Sequence, residues 1–252
     1  MIWNNFLFVV FGAIVGSFLH VCIVRLPQNE SILRPRSHCR NCKKKLPWYD
    51  LIPILSYLWL RGRCRFCKAQ FSIEHFLVEL FTALIALWVF STFGTTPLGL
   101  TYFAFVSSLI VVTCIDLHHR IIPDSISLGG TALGLVLSFF VLPITPLESF
   151  LGAFIGGGFL LLLAWGYFKL TGREGMGGGD IKLTAMFGAF LGFQSVFLIL
   201  FVASILGAVW GAGLMLFQRK DLQYAVPFGP FLALGAILTL FYGDFLLRFL
   251  GY

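Results

Sequence analysis

Two aspartates, Asp116 and Asp180, stand at the edges of apolar segments that are long enough to enter a membrane. Asp116 ends the apolar run from Leu109, and the chain after Asp180 is almost wholly apolar as far as Leu191. A carboxylate near hydrocarbon depth is energetically costly and is therefore a candidate for a functional role. Two carboxylates that meet can share one proton and act as acid and base. The first hypothesis is aspartic acid–base chemistry, provided that the chain brings both side chains to the same side of the membrane.

Four cysteines form a second set of residues that could carry chemistry. Cys39 and Cys42 make one C-x2-C pair, and Cys64 and Cys67 make another after 21 intervening residues. This spacing is typical of a zinc ribbon, in which two knuckles supply a closed tetrahedral set of four thiolates. An iron–sulfur centre or a redox-active dithiol is the alternative. Disulfides are disfavoured if the segment faces the reducing cytoplasm.

The composition indicates that membrane helices position these residues. Hydrophobic residues make up 58% of the chain and charged residues 12%, whereas about 25% of residues are charged in soluble domains. The first segment lacks the features of a cleavable signal peptide, so we expect it to remain as a span. We predict an all-α polytopic membrane protein with about eight transmembrane helices and a small cytoplasmic zinc-ribbon-like loop domain. The predicted spans lie near residues 4–24, 75–93, 98–117, 125–143, 148–170, 181–192, 194–217 and 227–250.

The sixth and seventh of these spans pose a length problem. One helix over residues 181–217 would be about 55 Å long, which is too long for a single crossing, and residues 181–192 alone would make about 18 Å. We therefore predict a break at residues 192–194. A short helix with Asp180 at its start is tolerated where it lines a cavity in the protein. A single tilted and kinked helix is the alternative.

The basic residues predict the orientation. Eleven of the 18 lysines and arginines lie between the first two spans, which places this loop in the cytoplasm and the N-terminus outside. These eleven are Arg25, Arg34, Arg36, Arg40, Lys43, Lys44, Lys45, Arg61, Arg63, Arg65 and Lys68. Arg248 alone falls outside, while the other basic positions fall inside: Arg120, Lys169, Arg173, Lys182, Arg219 and Lys220.

This orientation has two consequences. Asp116 and Asp180 both come to lie at the cytoplasmic leaflet. The net charge of +7 is explained by topology and by attraction to anionic membrane lipid, so we expect no nucleic-acid partner.

Several residues near the two aspartates are candidates for supporting or substrate-binding roles. Gly177 and Gly179 permit close backbone approach and positive φ, which would let an extended substrate lie beside Asp180. A flexible loop between helices is the alternative for this glycine tract. Lys182 follows Asp180 at the inner surface.

Two further carboxylates belong to the same candidate set. Asp124 stands between Pro123 and an apolar run, which predicts a helix N-cap, so Asp116 is preferred to it as a catalytic residue. Glu79 lies about a turn into the second span. It could contact substrate or line the cleft, although packing against a basic partner is favoured.

Five blocks of the chain, in order, resemble the prepilin peptidases, which are intramembrane aspartic proteases with a GxGD motif. The blocks are Gly16–Val21 with Arg25–Pro27, Arg36–Cys67, Asp116–Asp124, Gly177–Leu183 and Pro227–Pro230. The resemblance implies an endopeptidase that cuts the basic leader of type IV prepilins or pseudopilins after glycine on the cytoplasmic side. It also implies subsequent N-methylation of the new N-terminus with S-adenosylmethionine. Asp116 and Asp180 match the catalytic aspartates of the family.

The same resemblance implies a domain organisation and a location. Residues 1–24 would be the first transmembrane helix, 25–74 the zinc-binding loop and possible methyltransferase part, and 75–252 the peptidase core. Gly62 and Arg63 are the candidates for binding the cofactor, although some relatives carry lysine in place of Arg63. The expected location is the bacterial inner membrane with both termini outside, in a pilus, secretion or competence system. A peptidase with only a structural zinc cap and an ion-coupled transporter are the alternatives.

Overall fold

The computed structural model describes residues 2–173, 175–218 and 227–249. Within these ranges the chain forms α-helices and two isolated β-bridges, without β-strands. Arg219 and Lys220, which contributed to the predicted topology, lie outside the described residues. The helices are α1 (Ile2–Arg25), α2 (Leu55–Trp59), α3 (Ile73–Phe93), α4 (Pro97–His119), α5 (Asp124–Leu137), α6 (Pro146–Thr171), α7 (Gly178–Gln218) and α8 (Gly229–Phe249).

Five of the helices are long and apolar enough to cross a membrane, namely α1, α3, α4, α6 and α7. Shorter apolar helices occur at Asp124–Leu137 and Gly229–Gly243. The prediction of an all-α polytopic membrane protein is therefore confirmed, while the number of crossings stays a prediction. The predicted span at 125–143 is too long, because α5 ends at Leu137 and the next residues form turns.

The long helix α7 is broken in its middle. Gly192 has φ 80° and ψ 169°, which is not helical, and helix runs on both sides of it. The hydroxyl of Ser195 donates to the carbonyl of Leu191 at 2.7 Å and thereby satisfies one backbone group next to the break. The predicted break at residues 192–194 is confirmed, and glycine suits it because this positive φ is strained for other residues.

The chain divides into two compact units, Met1–Val111 (unit 1) and Val112–Tyr252 (unit 2). In unit 1, α1 packs on α3 at very short range because Gly12 and Gly16 carry no side chain. A Cβ atom on Gly16 would lie 2.7 Å from the Cα of Glu79. Small residues permit such close helix approach, which is how packing energy is gained inside a membrane.

Helix α7 is the centre of unit 2 and packs against α5, α6 and α8. Its closest crossing is with α6, where a Cβ atom on Gly152 or Gly188 would run into the backbone of the other glycine. The buried hydroxyl of Ser149 donates to the carbonyl of Ala189 at 2.7 Å across the same crossing. The backbone contact and this hydrogen bond fix α7 relative to α6.

The segment between α1 and α3 is held by charged side chains at two places. The buried Arg25 guanidinium donates to the carbonyls of Ser31 and Pro35, each at 2.8 Å. Further along, the Nη2 and Nε atoms of Arg65 donate to the two carboxylate oxygens of Asp50 at 2.6 and 2.9 Å. These bidentate contacts give the segment a defined conformation although it contains little regular structure.

Candidate active site and metal centre

Asp116 lies in the last turn of α4 and is buried, with 6% of its surface exposed. Its Oδ2 atom accepts a hydrogen bond of 2.9 Å from the backbone amide of Gly229, at the first residue of α8. The amides at a helix N-terminus have no partner within the helix and carry partial positive charge, so they favour a carboxylate. The start of α8 therefore orients one oxygen of Asp116.

Asp180 lies in the first turn of α7, where its backbone amide donates to the carbonyl of Gly177 at 3.2 Å. One of the glycines before it is required by a close approach, since a Cβ atom on Gly179 would lie 2.9 Å from the Cβ of Ile122. A Cβ atom on Gly177 would make only an ordinary contact, 3.6 Å from Oδ2 of Asp180. Neither Gly177 nor Gly179 uses the positive φ that glycine permits.

The two aspartates come together in unit 2. Each stands at an end of its helix, and their carboxylates interact electrostatically. Asp116 also experiences the charge of Arg120, which follows α4 directly. One buried carboxylate and one partly exposed carboxylate within reach of each other's charge form an arrangement that can hold a single shared proton.

Asp124 has a different position from the one that the sequence predicted. The N-cap of α5 is Pro123, which makes no side-chain capping bond, and Asp124 is the first residue of the helix itself. The carboxylate of Asp124 instead accepts two hydrogen bonds from Nζ of Lys182, at 2.7 and 2.9 Å. The N-cap prediction is wrong because this ion pair draws the side chain towards α7. The side chain of Asp124 is largely exposed to solvent and that of Lys182 is partly exposed.

The four cysteines converge in unit 1, and their Sγ atoms all lie within 4.8 Å of one another. The two knuckles have the same backbone geometry. The amide of Cys39 donates to the carbonyl of Lys44 at 3.0 Å, and the amide of Cys64 donates to Ala69 at 2.8 Å. The residue after each pair has positive φ, 57° for Lys43 and 58° for Lys68. An isolated β-bridge flanks each knuckle, as in a zinc ribbon.

The distances between the sulfur atoms fit a tetrahedral metal site. The Sγ atoms of Cys39 and Cys67 are 3.7 Å apart. A Zn–S bond of about 2.3 Å places the corners of a tetrahedron about 3.8 Å apart. The cysteines are free thiols and not disulfides. The geometry and the donor set therefore fit Zn²⁺, and a closed set of four thiolates is typical of a structural ion.

The protonation of the cluster also suits a metal ion. The backbone amide of Ala69, opposed by burial and helped by the other thiols, lowers the pKa of Cys67 from 9.0 to about 6. For Cys42, the amide of Lys44 lowers the pKa, but burial and the neighbouring thiols raise it to about 11. Of these two thiols Cys67 is therefore the first to lose its proton, near neutral pH. Metal binding requires thiolates, so this first deprotonation prepares the site.

The predicted cofactor residues lie beside a cavity of about 350 Å³. Arg63 lines it together with Leu60, Arg61, Cys64 and Lys68. Gly62 is next to it with φ 65°, and a Cβ atom there would lie 2.8 Å from the ring of Tyr57. A cavity of this size is typical of a small-molecule site. Its cationic lining suits a carboxylate group.

Glu79 lies in α3 and is 1% exposed. Its Oε2 atom accepts a hydrogen bond of 2.7 Å from the backbone amide of Ile54, and its Oε1 atom lies 3.3 Å from Nε2 of His75. Ile54 has φ 63°, a strained value for a β-branched residue. The buried carboxylate therefore connects the cysteine-bearing segment to α3, and its supporting role in catalysis stays a prediction.

We expect replacement of Glu79 by Ala to release this segment from α3. The variant leaves the amide of Ile54 without its acceptor, which costs about 1–3 kcal/mol. Limited trypsin digestion at Arg61 and Arg63, in detergent, should therefore be faster by roughly tenfold or more. Glu79→Gln retains an oxygen acceptor and serves as the matched control with a smaller effect. Equal digestion rates for the two variants would show that the hydrogen bond does not hold the segment.

Two protein families match successive parts of the chain. Residues 10–93 match the family described as Bacterial Peptidase A24 N-terminal domain, and residues 103–212 match the Type IV leader peptidase family. A prepilin leader peptidase/N-methyltransferase of Aeromonas hydrophila is 36% identical over 267 residues, covering 95% of this chain and 91% of the relative. The chain belongs to the type IV leader peptidase family.

Other members of the type IV leader peptidase family are similarly close. A protein with the same description from Pseudomonas putida is 34% identical over 257 residues, covering 93% of this chain and 89% of the relative. Another, from Myxococcus xanthus, is 40% identical over 211 residues, covering 84% of this chain and 63% of the relative. No solved structure matches the chain.

One residue of the aspartate site was not predicted from the sequence. Gly229 contributes only its backbone amide, and a backbone donor leaves no signature in the type of its side chain. Its segment, Pro227–Pro230, was assigned only to the start of the last helix. A general rule could have predicted such a contact, because the first backbone amides of every helix have no partner within the helix and can bind a nearby carboxylate.

Proposed function

We propose that this protein is an intramembrane aspartic endopeptidase that removes the leader of type IV prepilins or pseudopilins, cutting after glycine. The observation that carries the proposal is that unit 2 brings the segments of Asp116 and Asp180 together: Gly179, directly before Asp180, packs against Ile122, six residues after Asp116, and the charge of Asp116 acts on Asp180. Family membership supports the choice of substrate, since the curated relatives are described as prepilin leader peptidases. Asp116 and Asp180 are the proposed catalytic residues.

The mechanism follows from one proton shared between two carboxyl groups. The ionised carboxylate removes a proton from a water molecule, whose oxygen then attacks the scissile carbonyl carbon. The protonated carboxyl donates a hydrogen bond to the carbonyl oxygen and stabilises its developing negative charge. When the C–N bond breaks, the leaving amine takes a proton from the pair. The amide of Gly229 holds one oxygen of Asp116 in a fixed direction during these steps.

The glycine tract provides room for the substrate. Gly177 and Gly178 are exposed and lie three and two residues before Asp180, with no side chain that could obstruct an approaching peptide. An extended substrate backbone can lie against this tract within reach of the Asp180 carboxylate. The ion pair of Lys182 with Asp124 joins the start of α7 to the start of α5. The carboxylate of Asp124 is therefore already paired with a cation.

We also infer that the chain methylates the new N-terminal amine with S-adenosylmethionine, as the relatives' description N-methyltransferase suggests. When bound, S-adenosylmethionine supplies an electrophilic methyl group. The cationic cavity beside Gly62 and Arg63 supports this inference by its size and charge, and Arg63 would hold the carboxylate of the cofactor. Zn²⁺ at the four cysteines would keep the segment folded around that cavity.

The proposed location is the bacterial inner membrane, with the aspartates and the cysteine cluster on the cytoplasmic side and both termini outside. The excess of lysine and arginine between α1 and α3 supports this orientation. The partners are then prepilin or pseudopilin substrates and membrane lipid, without nucleic acid.

The direct test uses purified protein in lipid vesicles with a prepilin that carries its leader. We expect mass spectrometry to show cleavage after the glycine that precedes the mature sequence, and transfer of label from radioactive S-adenosylmethionine to the new N-terminus. Cleavage without transfer would support a peptidase with only a structural zinc cap. No cleavage under conditions in which a known family member is active would remove the peptidase proposal and favour the transporter alternative.

Replacing Gly229 by Ala should impair cleavage by displacing Asp116. The added Cβ atom would lie 2.7 Å from Oδ2 of Asp116, so the carboxylate must move. A displacement of about 1 Å in a catalytic group can cost about 100-fold in rate, and we expect a loss of that order in kcat/KM. Gly243→Ala is the matched control in the same helix, where the new Cβ atom meets only Thr239 at 3.6 Å. Similar activity of the two variants would exclude a positioning role for Gly229.

A further inference from the structure

The segment from Trp48 to Trp59 exposes an unusual number of large apolar side chains for a region outside the long helices. The exposed fraction is 75% for Trp48, 64% for Leu55, 58% for Leu58 and 86% for Trp59. Leu55, Leu58 and Trp59 have the i, i+3, i+4 spacing that places side chains on one face of a helix, and they lie within α2. We call these three residues the α2 apolar face.

The opposite side of α2 is packed against the first turns of α3. The ring of Tyr57 lies 5.4 Å from the ring of Phe76, measured between centroids. The amide of Ile54, one residue before α2, donates to the buried carboxylate of Glu79 at 2.7 Å. Both anchors hold α2 from one side only, so the α2 apolar face is directed away from α3.

These anchors also fix the depth of α2. Helix α3 begins at Ile73 and is one of the helices long enough to cross a membrane. Glu79 is six residues further along, which is about 9 Å at 1.5 Å per residue. A helix that lies in the membrane interface buries its apolar face about 5–10 Å into the boundary between headgroups and acyl chains. Helix α2 is therefore attached to α3 at the level where a membrane-spanning helix enters hydrocarbon.

The neighbouring surface of α3 is apolar as well. Ile73, Leu77, Phe81 and Leu84 are all exposed and follow one side of that helix. On a membrane-spanning helix, such a row of exposed apolar side chains faces lipid. The lipid that surrounds the start of α3 therefore lies at the same depth as α2. This lipid is sufficient to cover the α2 apolar face.

The charges around α2 complement the lipid headgroups. Three lysines, at 43–45, precede Trp48, and four further basic residues follow Trp59 (Arg61, Arg63, Arg65 and Lys68). Basic residues close to a membrane are attracted to anionic phospholipid. Tryptophan is enriched at membrane interfaces because its ring is apolar and its indole N–H is polar. An apolar face with tryptophans and surrounding cations is typical of a segment that lies in the interface.

We propose that α2 lies in the plane of the membrane interface, with Leu55, Leu58 and Trp59 inserted among the lipid chains of the leaflet where α3 begins. The occupant of the α2 apolar face is then the lipid of that leaflet, attracted by the flanking cations. The segment that carries the four cysteines is thereby attached to the membrane between α1 and α3 as well as at its two ends. This attachment does not depend on the proposed peptidase or methyltransferase activity.

The test measures how deep Trp59 lies in lipid vesicles. The chain has six tryptophans, so a variant that keeps Trp59 and carries phenylalanine at positions 3, 48, 88, 165 and 210 reports on one position. Vesicles contain phosphatidylcholine and phosphatidylglycerol with bromine atoms near the glycerol end or near the tail end of the acyl chain. Far-ultraviolet circular dichroism and the elution volume in detergent establish that the variant is folded.

We expect the shallow bromine label to quench the emission of Trp59 roughly twofold or more, the deep label to quench it less, and soluble acrylamide to quench it weakly. A variant in which all six tryptophans are phenylalanine and Leu84, exposed near the middle of α3, is replaced by tryptophan is the control and should be quenched more strongly by the deep label. Strong quenching by acrylamide with none by lipid would overturn the proposal, since the face would then be in water. Quenching by neither would also overturn it, since protein would then cover the face.

A second pair of variants tests the charge contribution. Replacing Arg61 and Arg63 by Gln in the Trp59-only protein should reduce quenching by brominated phosphatidylglycerol relative to brominated phosphatidylcholine. Replacing Leu55 and Leu58 by Ser should reduce quenching by both lipids and raise quenching by acrylamide. If neither pair of substitutions changes the quenching, the inserted face is not the one defined by Leu55, Leu58 and Trp59.

Discussion

Asn in place of Asp180 is expected to lower the rate of leader cleavage by about 10³-fold or more, and Asn in place of Asp116 should have an effect of the same order. Asparagine has the size of aspartate but neither takes up nor releases a proton at neutral pH. Because the two carboxylates interact electrostatically, the remaining aspartate alone has no partner with which to share a proton. Each substitution therefore removes the acid–base pair as a whole.

The measurement is kcat/KM for cleavage of a prepilin in vesicles. The double variant should be hardly slower than either single variant, because residues that act as a unit lose their function together. Asp124→Asn tests the choice of the first aspartate, since Asp124 is bound to Lys182 and should retain activity within about threefold. Near-normal cleavage by Asp116→Asn together with a large loss in Asp124→Asn would reverse the assignment.

Replacing Cys39 by Ser is expected to have the second largest effect, which is the loss of bound metal. We expect about one zinc ion per chain in the unaltered protein and well under half of that in the variant, because a closed site loses one of its four thiolates. Metal binding contributes free energy directly to the folding of such small sites. The segment around the knuckles should therefore be digested by trypsin at a much higher rate.

Activity measurements should then separate two proposed functions. The four cysteines belong to unit 1 and both catalytic candidates belong to unit 2. We expect methyl transfer to fall at least about tenfold in Cys39→Ser, with cleavage changed far less. Cys22→Ala is the matched control, since Cys22 is buried in α1 away from the cluster. Unchanged metal content in Cys39→Ser would contradict the four-thiolate site.

The features that sequence reasoning predicted well depend on local spacing or on simple lengths. Two C-x2-C pairs predicted a converged cysteine cluster, because each knuckle is a local turn that places two thiols side by side. The break at Gly192 was predicted from length, because one straight helix over that region would be longer than the thickness of a bilayer. Both kinds of inference need only neighbouring residues in the chain.

The features that sequence reasoning missed depend on residues far apart in the chain. Asp124 resembles an N-cap when only its neighbours are considered, but its partner Lys182 is 58 residues away. The hydrogen bond from Gly229 to Asp116 spans 113 residues and uses a backbone atom. The predicted span at 125–143 failed for another reason. Residues after Leu137 remain apolar, and hydrophobicity by itself does not determine where a helix ends.

The break at Gly192 affects the lipid as well as the protein. From Gly178 to the break, α7 is only about 21 Å long, and α5, which packs beside it, has 14 residues and the same length. The hydrocarbon core of a bilayer is about 30 Å thick. A bilayer accommodates a helix this short by thinning around it, by flanking side chains that reach the interface, or by association of helices. Both helices carry acidic residues at their starts, Asp180 and Asp124. Hydrolysis consumes water, and a locally thinned membrane shortens the path by which water reaches the aspartates.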